Sequence, residues 1–311
     1  MNVFATVAQV VAPIFAAILL GMLAKKKNWI TAENVQGFQT FVMKIGLPCT
    51  LFNSCLTARI GAESLSSMAL VLPVVLLGAL WAFRYGRRKF PYHNLPQLFC
   101  AQESGMLGIP LFMILFGADQ AYRMGILDLT QSVVAIPVIA ILSSDAGENP
   151  TASQVLKKVL ASPLMLMSLL GLALNISGAG KLLGNLGVLG IVTETTGFLS
   201  QPISALMLFS VGYNFSLAKG SRRAVFQIAV LHFVVFALAG LVIQCLLFLV
   251  PGVDSLTRWA IFLFTILPGS YLAPSLGRSE EEYRMASGVC SILTLVTLAM
   301  VCAAAAFMVC A

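Results

Sequence analysis

Three ionisable side chains, Lys44, Glu103 and Asp128, lie inside long apolar stretches of the sequence. A charge in apolar surroundings is costly unless it is paired, hydrogen-bonded or neutralised by a proton. Such groups are also the ones that can pair with a substrate, carry a proton or line a path for ions. These three side chains are therefore the first candidates for chemistry.

Two of the apolar stretches contain residues that interrupt a helix. One reads LFCAQESGMLGIPLFMILFG and the other FTILPGSYLAPSLG. Proline removes a backbone donor and glycine is a weak helix former, so some amide and carbonyl groups are left free to bind a ligand. The candidate binding residues at the two interruptions are Glu103, Ser104, Gly105, Gly108, Pro110, Pro268, Gly269, Ser270 and Tyr271.

The composition places these interruptions in a membrane. Of the 311 residues, 59% are hydrophobic and 10% are charged, whereas soluble domains have about 45–50% and about 25%. The net charge of +7 does not indicate nucleic acid, because the basic residues form short clusters between apolar runs. We expect a multi-pass protein whose surroundings are the lipid bilayer.

Ten apolar runs are long enough to cross about 30 Å of hydrocarbon. They cover residues 6–24, 38–56, 66–83, 95–116, 121–142, 158–177, 190–215, 225–250, 256–276 and 285–310. Most of the basic residues follow the odd-numbered runs, and Lys and Arg stay on the cytoplasmic side. The prediction is an all-α integral membrane protein of a bacterial inner (plasma) membrane, with ten transmembrane helices and both termini periplasmic.

Similar spacing in the two halves indicates an internal repeat. Pro13 and Gly21 are eight residues apart in the first run, as are Pro163 and Gly171 in the sixth. The second and seventh runs each contain a proline, and the interrupted runs are the fourth and the ninth. Five spans separate each pair, so the second copy would be inverted. The predicted parts are a first repeat at 1–143 (helices 1–5), a cytoplasmic linker at 144–157 and a second repeat at 158–311 (helices 6–10).

The two interrupted runs therefore occupy matching positions, which is typical of a transporter binding site. If they cross near the middle of the bilayer, the N-terminal ends of their half-helices converge there and favour an anion, most simply a carboxylate. The alternative is a pair of ordinary proline kinks, which membrane helices tolerate.

Motif residues in four of the runs support a resemblance to a known family: Leu47, Pro48, Gly105, Gly108, Ile109, Pro110, Leu111, Asp128 and Pro268. Over essentially its whole length the chain resembles the auxin efflux carrier family, the bacterial permeases related to plant PIN proteins. The resemblance implies two inverted five-helix repeats, crossing fourth and ninth helices, a scaffold with a moving transport part, elevator-like exchange, a homodimer and anions such as malonate or malate. Many relatives carry Asn where Glu103 stands.

Glu103 has three interpretations. At about 1.5 Å per residue, Lys44 and Glu103 lie at similar depths, so they could form an ion pair. Alternatively, Glu103 couples transport to protons or discriminates between substrates, or it is solvated in an aqueous vestibule. The long side chain of Lys44 can also reach the inner surface.

Asp128 shares a helix face with Gln131 and Ser132. One interpretation is a hydrogen-bonded strut between helices, and the other is a proton carrier or a residue that lines the site.

The leading functional hypothesis is a secondary transporter of small organic anions driven by protons or by the membrane potential, with Glu103, Asp128 and Lys44 as coupling candidates. Sodium-coupled symport and a channel or sensor are the alternatives. An enzyme is not expected, because HExxH, GxSxG and paired catalytic carboxylates are absent from the sequence. The sequence has no CxxC pair and its two histidines are far apart, so we expect neither a metal nor a cofactor.

Overall fold

The chain is described by a computed structural model that covers residues 3–58, 61–86, 90, 92, 94–143, 154, 157, 161–180, 184, 187–215, 222–250 and 253–310. Within these ranges the regular elements are helices, and extended pairing is limited to one short bridge between Gln102 and Gly269. The predicted all-α class is confirmed for this part of the chain. The predicted linker at 144–157 lies outside the described residues, apart from residues 154 and 157.

The helices of the first half are α1 (Val3–Lys27), α2 (Ala32–Phe41), α3 (Leu47–Thr57), α4 (Ala62–Trp81), α5 (Ile109–Phe116) and α6 (Ala121–Ser143). Those of the second half are α7 (Pro163–Ile176), α8 (Val188–Ser200), α9 (Ile203–Asn214), α10 (Arg222–Leu247), α11 (Ser255–Ile266), α12 (Leu272–Ser275) and α13 (Glu280–Cys310). A π-helical turn, Val42–Gly46, joins α2 to α3, and a second one, Ser104–Gly108, leads into α5.

Several helices have the length and the surface of membrane helices. Among the residues that the structure describes, three segments are long and apolar enough to cross a bilayer, namely Ser64–Arg84, Arg222–Leu247 and Glu280–Phe307. Large apolar side chains such as Leu77 and Leu241 are more than half exposed, which lipid accommodates and water does not. These features are those of a membrane protein. The arrangement of ten spans in inverted repeats stays a prediction.

Glycines let two pairs of helices pack backbone to backbone. A methyl group added at Gly21 of α1 would lie 2.0 Å from the carbonyl oxygen of Phe209 in α9. A methyl group at Gly171 of α7 would lie 2.5 Å from the carbonyl oxygen of Phe52 in α3. Small residues at such contacts are the usual basis of close packing between membrane helices. The two glycines that match in the sequence thus make the same kind of contact, each with a helix of the other half.

We expect Gly21→Ala to destabilise the protein by about 1–3 kcal/mol, because α1 and α9 must separate to admit the methyl group. Thermal unfolding in detergent measures the effect. The control is Gly37→Ala in α2, where nothing lies within 4 Å of the added carbon. The control should be neutral or stabilising by up to about 1 kcal/mol, since alanine is the better helix former. Equal thermal unfolding midpoints for the two variants would contradict the close contact between α1 and α9.

An ion pair ties the start of α6 to the start of α11. The Nη2 of Arg123 lies 2.7 Å from the Oδ2 of Asp254, and its Nη1 donates to the hydroxyl of Thr257 at 2.5 Å. Asp254 also caps α11 by accepting from the backbone N–H of Thr257 at 2.8 Å. Burial raises the pKa of Asp254, but the bonds from Thr257 and the charge of Arg123 outweigh it, so this pKa lies below its ordinary value.

We expect Arg123→Gln to destabilise the protein by about 1–3 kcal/mol at neutral pH, because the Arg123 side chain is only 10% exposed and its removal takes the opposite charge away from Asp254. Because the pKa of Asp254 is lowered by folding, the stabilisation is present at neutral pH and is lost as pH falls below about 4. The stability difference between wild type and variant should therefore shrink in acid.

The matched control is Arg284→Gln, which removes an exposed ion pair with Glu280 one turn away in α13. Such surface pairs contribute about 0.3–0.5 kcal/mol. Chemical unfolding in detergent at several pH values compares the two variants, and a difference for Arg123→Gln that does not change with pH would contradict the lowered pKa.

Candidate functional site

The two interrupted stretches meet and pair through their backbones. The N–H of Glu103 donates to the carbonyl of Pro268 at 2.8 Å, and the N–H of Ser270 donates to the carbonyl of Ala101 at 3.0 Å. This is the short antiparallel bridge of the fold. Each interruption therefore satisfies backbone groups that the other one frees, which lipid cannot do.

The small residues at this crossing have different roles. A methyl group at Gly269 would lie 2.5 Å from the carbonyl oxygen of Leu98, and one at Gly108 would lie 2.8 Å from the side chain of Leu267. These two glycines allow the stretches to approach. Gly105 has only an ordinary contact at 3.8 Å. Pro110 lies in the first turn of α5, directly after the π-helical turn Ser104–Gly108, and it has no backbone N–H to donate.

The carboxylate of Glu103 joins the two stretches a second time. Its side chain is buried, with 7% of its surface exposed. The Oε1 accepts from the N–H of Met106 at 3.2 Å, and the Oε2 accepts from the N–H of Tyr271 at 2.5 Å. The structure does not bring Lys44 to this carboxylate: the Lys44 side chain is exposed, and no described cation pairs with Glu103. Backbone amides take the place of the ion pair.

Asp128 belongs to a buried hydrogen-bond network between α6 and the first stretch. The hydroxyl of Ser104 donates to its Oδ1, and Gln131 donates to the same oxygen at 3.2 Å. The amide of Gln131 also pairs with the backbone of Gln102: it donates to the carbonyl at 2.8 Å and accepts from the N–H at 2.9 Å. Gln131 therefore acts like a neighbouring strand for a stretch without helical bonds. This geometry matches the strut interpretation of Asp128.

Helix α13 holds the second stretch in a similar way. The hydroxyl groups of Tyr271 and Thr294 are 2.7 Å apart. The thiol of Cys290 donates weakly to the carbonyl of Gly269 at 3.6 Å. The Oγ of Ser270 accepts from the N–H of Leu272 at 3.3 Å. Gly269 and Tyr271 of the second stretch are thus hydrogen-bonded to α13, as Ser104 of the first stretch is to α6.

A cavity lies on each side of the crossing. The first cavity, of about 510 Å³, lies between α2, the end of α9, α12 and α13, and its polar lining includes Gln36, Gln39, Asn214, Tyr271, Ser287, Ser291 and Thr294. The second cavity, of about 430 Å³, lies between the crossing, α6 and the start of α7, and its polar lining is Gln102, Glu103, Asp128, Gln131, Ser132, Ser162 and Ser270. Met106 and Leu272 line both cavities and separate them.

The sequence interpretation missed the polar wall of the first cavity. Ser287, Ser291 and Thr294 follow one another on α13 at spacings of four and three, which places them on one helix face. The same spacing signal identified the polar face of α6, so it was available here too. Gln36 and Gln39 had no such signal, because their stretch of α2 is polar in general.

Comparison with known proteins adds one relationship. Over 213 residues the chain is 23% identical to a protein of Methanothermobacter thermautotrophicus named as an uncharacterized transporter. This chain is similar to a transporter. The alignment covers 66% of each chain, so it spans slightly less than two thirds of that relative. No protein-family profile matches the chain. The relationship and the apolar helices together support a membrane transporter, without assigning it to a particular family.

We expect Gln131→Leu to destabilise the protein by about 1–3 kcal/mol or more, because the buried backbone N–H and C=O of Gln102 both lose their hydrogen-bond partner. The control is Gln201→Leu, at an exposed amide in the break between α8 and α9, with an expected change within about 0.5 kcal/mol. Thermal unfolding in detergent compares the two. A Gln131→Leu protein as stable as wild type would show that the stretch does not need this amide.

Proposed function

We propose that this chain is a proton-coupled secondary transporter of small organic anions, in which the substrate carboxylate and the carboxylate of Glu103 compete for the same backbone amides. The observation that carries the proposal is the pair of hydrogen bonds to the Glu103 carboxylate. It accepts from the N–H of Met106 in one stretch and from the N–H of Tyr271 in the other. Backbone amides that hold one carboxylate in a buried site are suited to hold another.

The buried carboxylate of Glu103 also explains why anion binding would need a proton. An anion cannot enter next to an ionised Glu103 without strong repulsion, because no described cation offsets the charge. When Glu103 takes up a proton, the repulsion disappears and its hold on the two amides weakens, since hydrogen bonds to an ionised acceptor are about twice as strong. Proton and anion then bind together and dissociate together, which is symport.

The packing of the helices supports alternating access by relative movement. The most extensive contacts of α1 are with α9, and those of α3 are with α7. In a second group, α6 packs on α4 and α11, and α10 packs on α11 and α13. The two groups also touch, since α1 contacts α13 and α3 contacts α6. The crossing belongs mainly to this second group. We propose that the first group is a scaffold and that the second moves against it, as in an elevator.

Other parts of the proposal rest on the sequence alone. They are the inverted repeats, a homodimer, an inner-membrane location and malonate or malate as the first acids to test. Lys44 has no place in the coupling scheme, because its exposed side chain makes no bond to the site.

The test is uptake of radiolabelled acids into liposomes that contain the purified protein, with pH gradient, sodium gradient and voltage imposed separately. We expect saturable uptake driven by the pH gradient. In Glu103→Gln, accumulation driven by the pH gradient should fall at least tenfold while exchange of labelled for unlabelled acid persists, because the neutral amide no longer changes its charge. The matched control is Glu194→Gln at an exposed position of α8, which should behave like wild type.

Each contrary result has a distinct meaning. Full accumulation by Glu103→Gln under a pH gradient would remove Glu103 from coupling. Accumulation driven by a sodium gradient alone would replace the proton with sodium. Flux without saturation or counterflow would indicate a channel.

A further inference from the structure

Three helices contribute polar side chains to the wall of the first cavity. Amide side chains project from α2 and from the end of α9, and hydroxyl groups project from one face of α13. The residues that provide them are Gln36, Gln39, Asn214, Ser287, Ser291 and Thr294. Amides and hydroxyls both donate and accept, so together they match groups that also do both. Hydroxyl groups of a substrate are of this kind.

The first cavity also differs from the second in charge. No Lys, Arg, Asp or Glu is present among the described residues that line the first cavity, whereas the second one contains Glu103 and Asp128. A buried charge without a counter-charge is strongly unfavourable. The first cavity can therefore accept one carboxylate only where backbone donors exist, and the N–H of Tyr271 lies at its edge, at present bonded to Glu103. A second carboxylate would face neutral groups.

We infer that the first cavity is the substrate chamber and that it selects a hydroxylated acid with a single negative charge over a dicarboxylate dianion. The inference rests on the proposed transport function and narrows its substrate class. The volume of about 510 Å³ is within the usual range for small-molecule sites, about 300–1,000 Å³. It leaves room for acids from a three-carbon hydroxy acid up to a six-carbon sugar acid.

The two cavities then have separate tasks. The substrate occupies the first cavity, and the carboxylate of Glu103, which takes up the proton, lines the second. They meet where Glu103 reaches the N–H of Tyr271, past the partition formed by Met106 and Leu272. Changes in the wall of the first cavity should therefore alter which acid is preferred without altering the response to pH.

The experiment uses four labelled acids of equal carbon number: glycerate, lactate, propionate and malonate, which carry two, one, no and no hydroxyl groups, with malonate as the dianion. Uptake into proteoliposomes is measured under an inward pH gradient. We expect kcat/KM to fall about three- to tenfold for each hydroxyl lost, with malonate transported less well than glycerate. Gluconate, the six-carbon hydroxy acid, should be accepted, whereas adipate, the dianion of equal length, should not.

The decisive variant is Gln39→Leu, because it removes a donor from the wall and leaves the crossing intact. The ratio of glycerate to propionate uptake should fall towards one while the pH dependence is retained. Ser132→Ala, in the second cavity, is the control and should keep the wild-type ratio. A ratio of two acids in one preparation does not depend on how much protein folds. Preferential transport of malonate, or an unchanged ratio in Gln39→Leu, would overturn the inference.

A binding measurement separates this inference from the proposed function. Gluconate should raise the thermal midpoint of the purified wild-type protein more than adipate does, and this difference should be lost in Gln39→Leu. If gluconate raises the thermal midpoint more than adipate does but no acid is taken up, the transport proposal is wrong and the assignment of the first cavity as a binding chamber is retained. Uptake of acids with equal protection by gluconate and adipate would support transport and refute the selection of hydroxylated monoanions.

Discussion

The constraint on which this structure depends is that a helix broken inside a bilayer must find partners for its backbone within the protein. Each unpaired N–H or C=O in hydrocarbon costs several kcal/mol. Here the two broken stretches supply those partners to each other, through the bonds from Glu103 to Pro268 and from Ser270 to Ala101. Because each stretch completes the other, neither can change conformation alone. In the proposed transport cycle, the crossing therefore moves together with the helices that hold it.

The surrounding side chains follow from this requirement. Gln131 supplies the paired donor and acceptor that a strand would supply to Gln102, and its second N–H is shared between Ser104 and Asp128. Buried polar networks of this kind are stable only when every member has a partner. Asp128 therefore has a structural task that does not require it to titrate. Glu103 differs, because its partners are amides that a ligand could take over.

The sequence predicted which two apolar stretches are interrupted, because proline and glycine occur there beside polar residues. Proline alone does not decide this, since Pro13, Pro73 and Pro137 lie inside continuous helices. The sequence also predicted that Asp128 and Gln131 share a face. It did not predict which groups Glu103 would meet. The depth of a residue along a helix can be counted from residue numbers. The direction in which its side chain points around the helix axis depends on the geometry of every preceding turn. Lys44 lies within the π-helical turn Val42–Gly46, whose extra residue changes the side to which the following residues point. Equal depth therefore did not bring Lys44 to Glu103.

A carboxylate at position 103 gives the crossing a property that an amide would not have. An Asn side chain has a single acceptor oxygen where Glu103 uses two. Its charge is also the same at every pH, so it would neither repel an anion nor respond to a proton. Glu103 holds Met106 and Tyr271 with a full charge when ionised and more weakly when neutral. In the proposed mechanism, the occupancy of one proton decides whether the two stretches are joined by the chain's own carboxylate or are open to another. Under this proposal, proton binding and anion binding are one equilibrium at a single pair of backbone amides, which is the thermodynamic requirement for coupling.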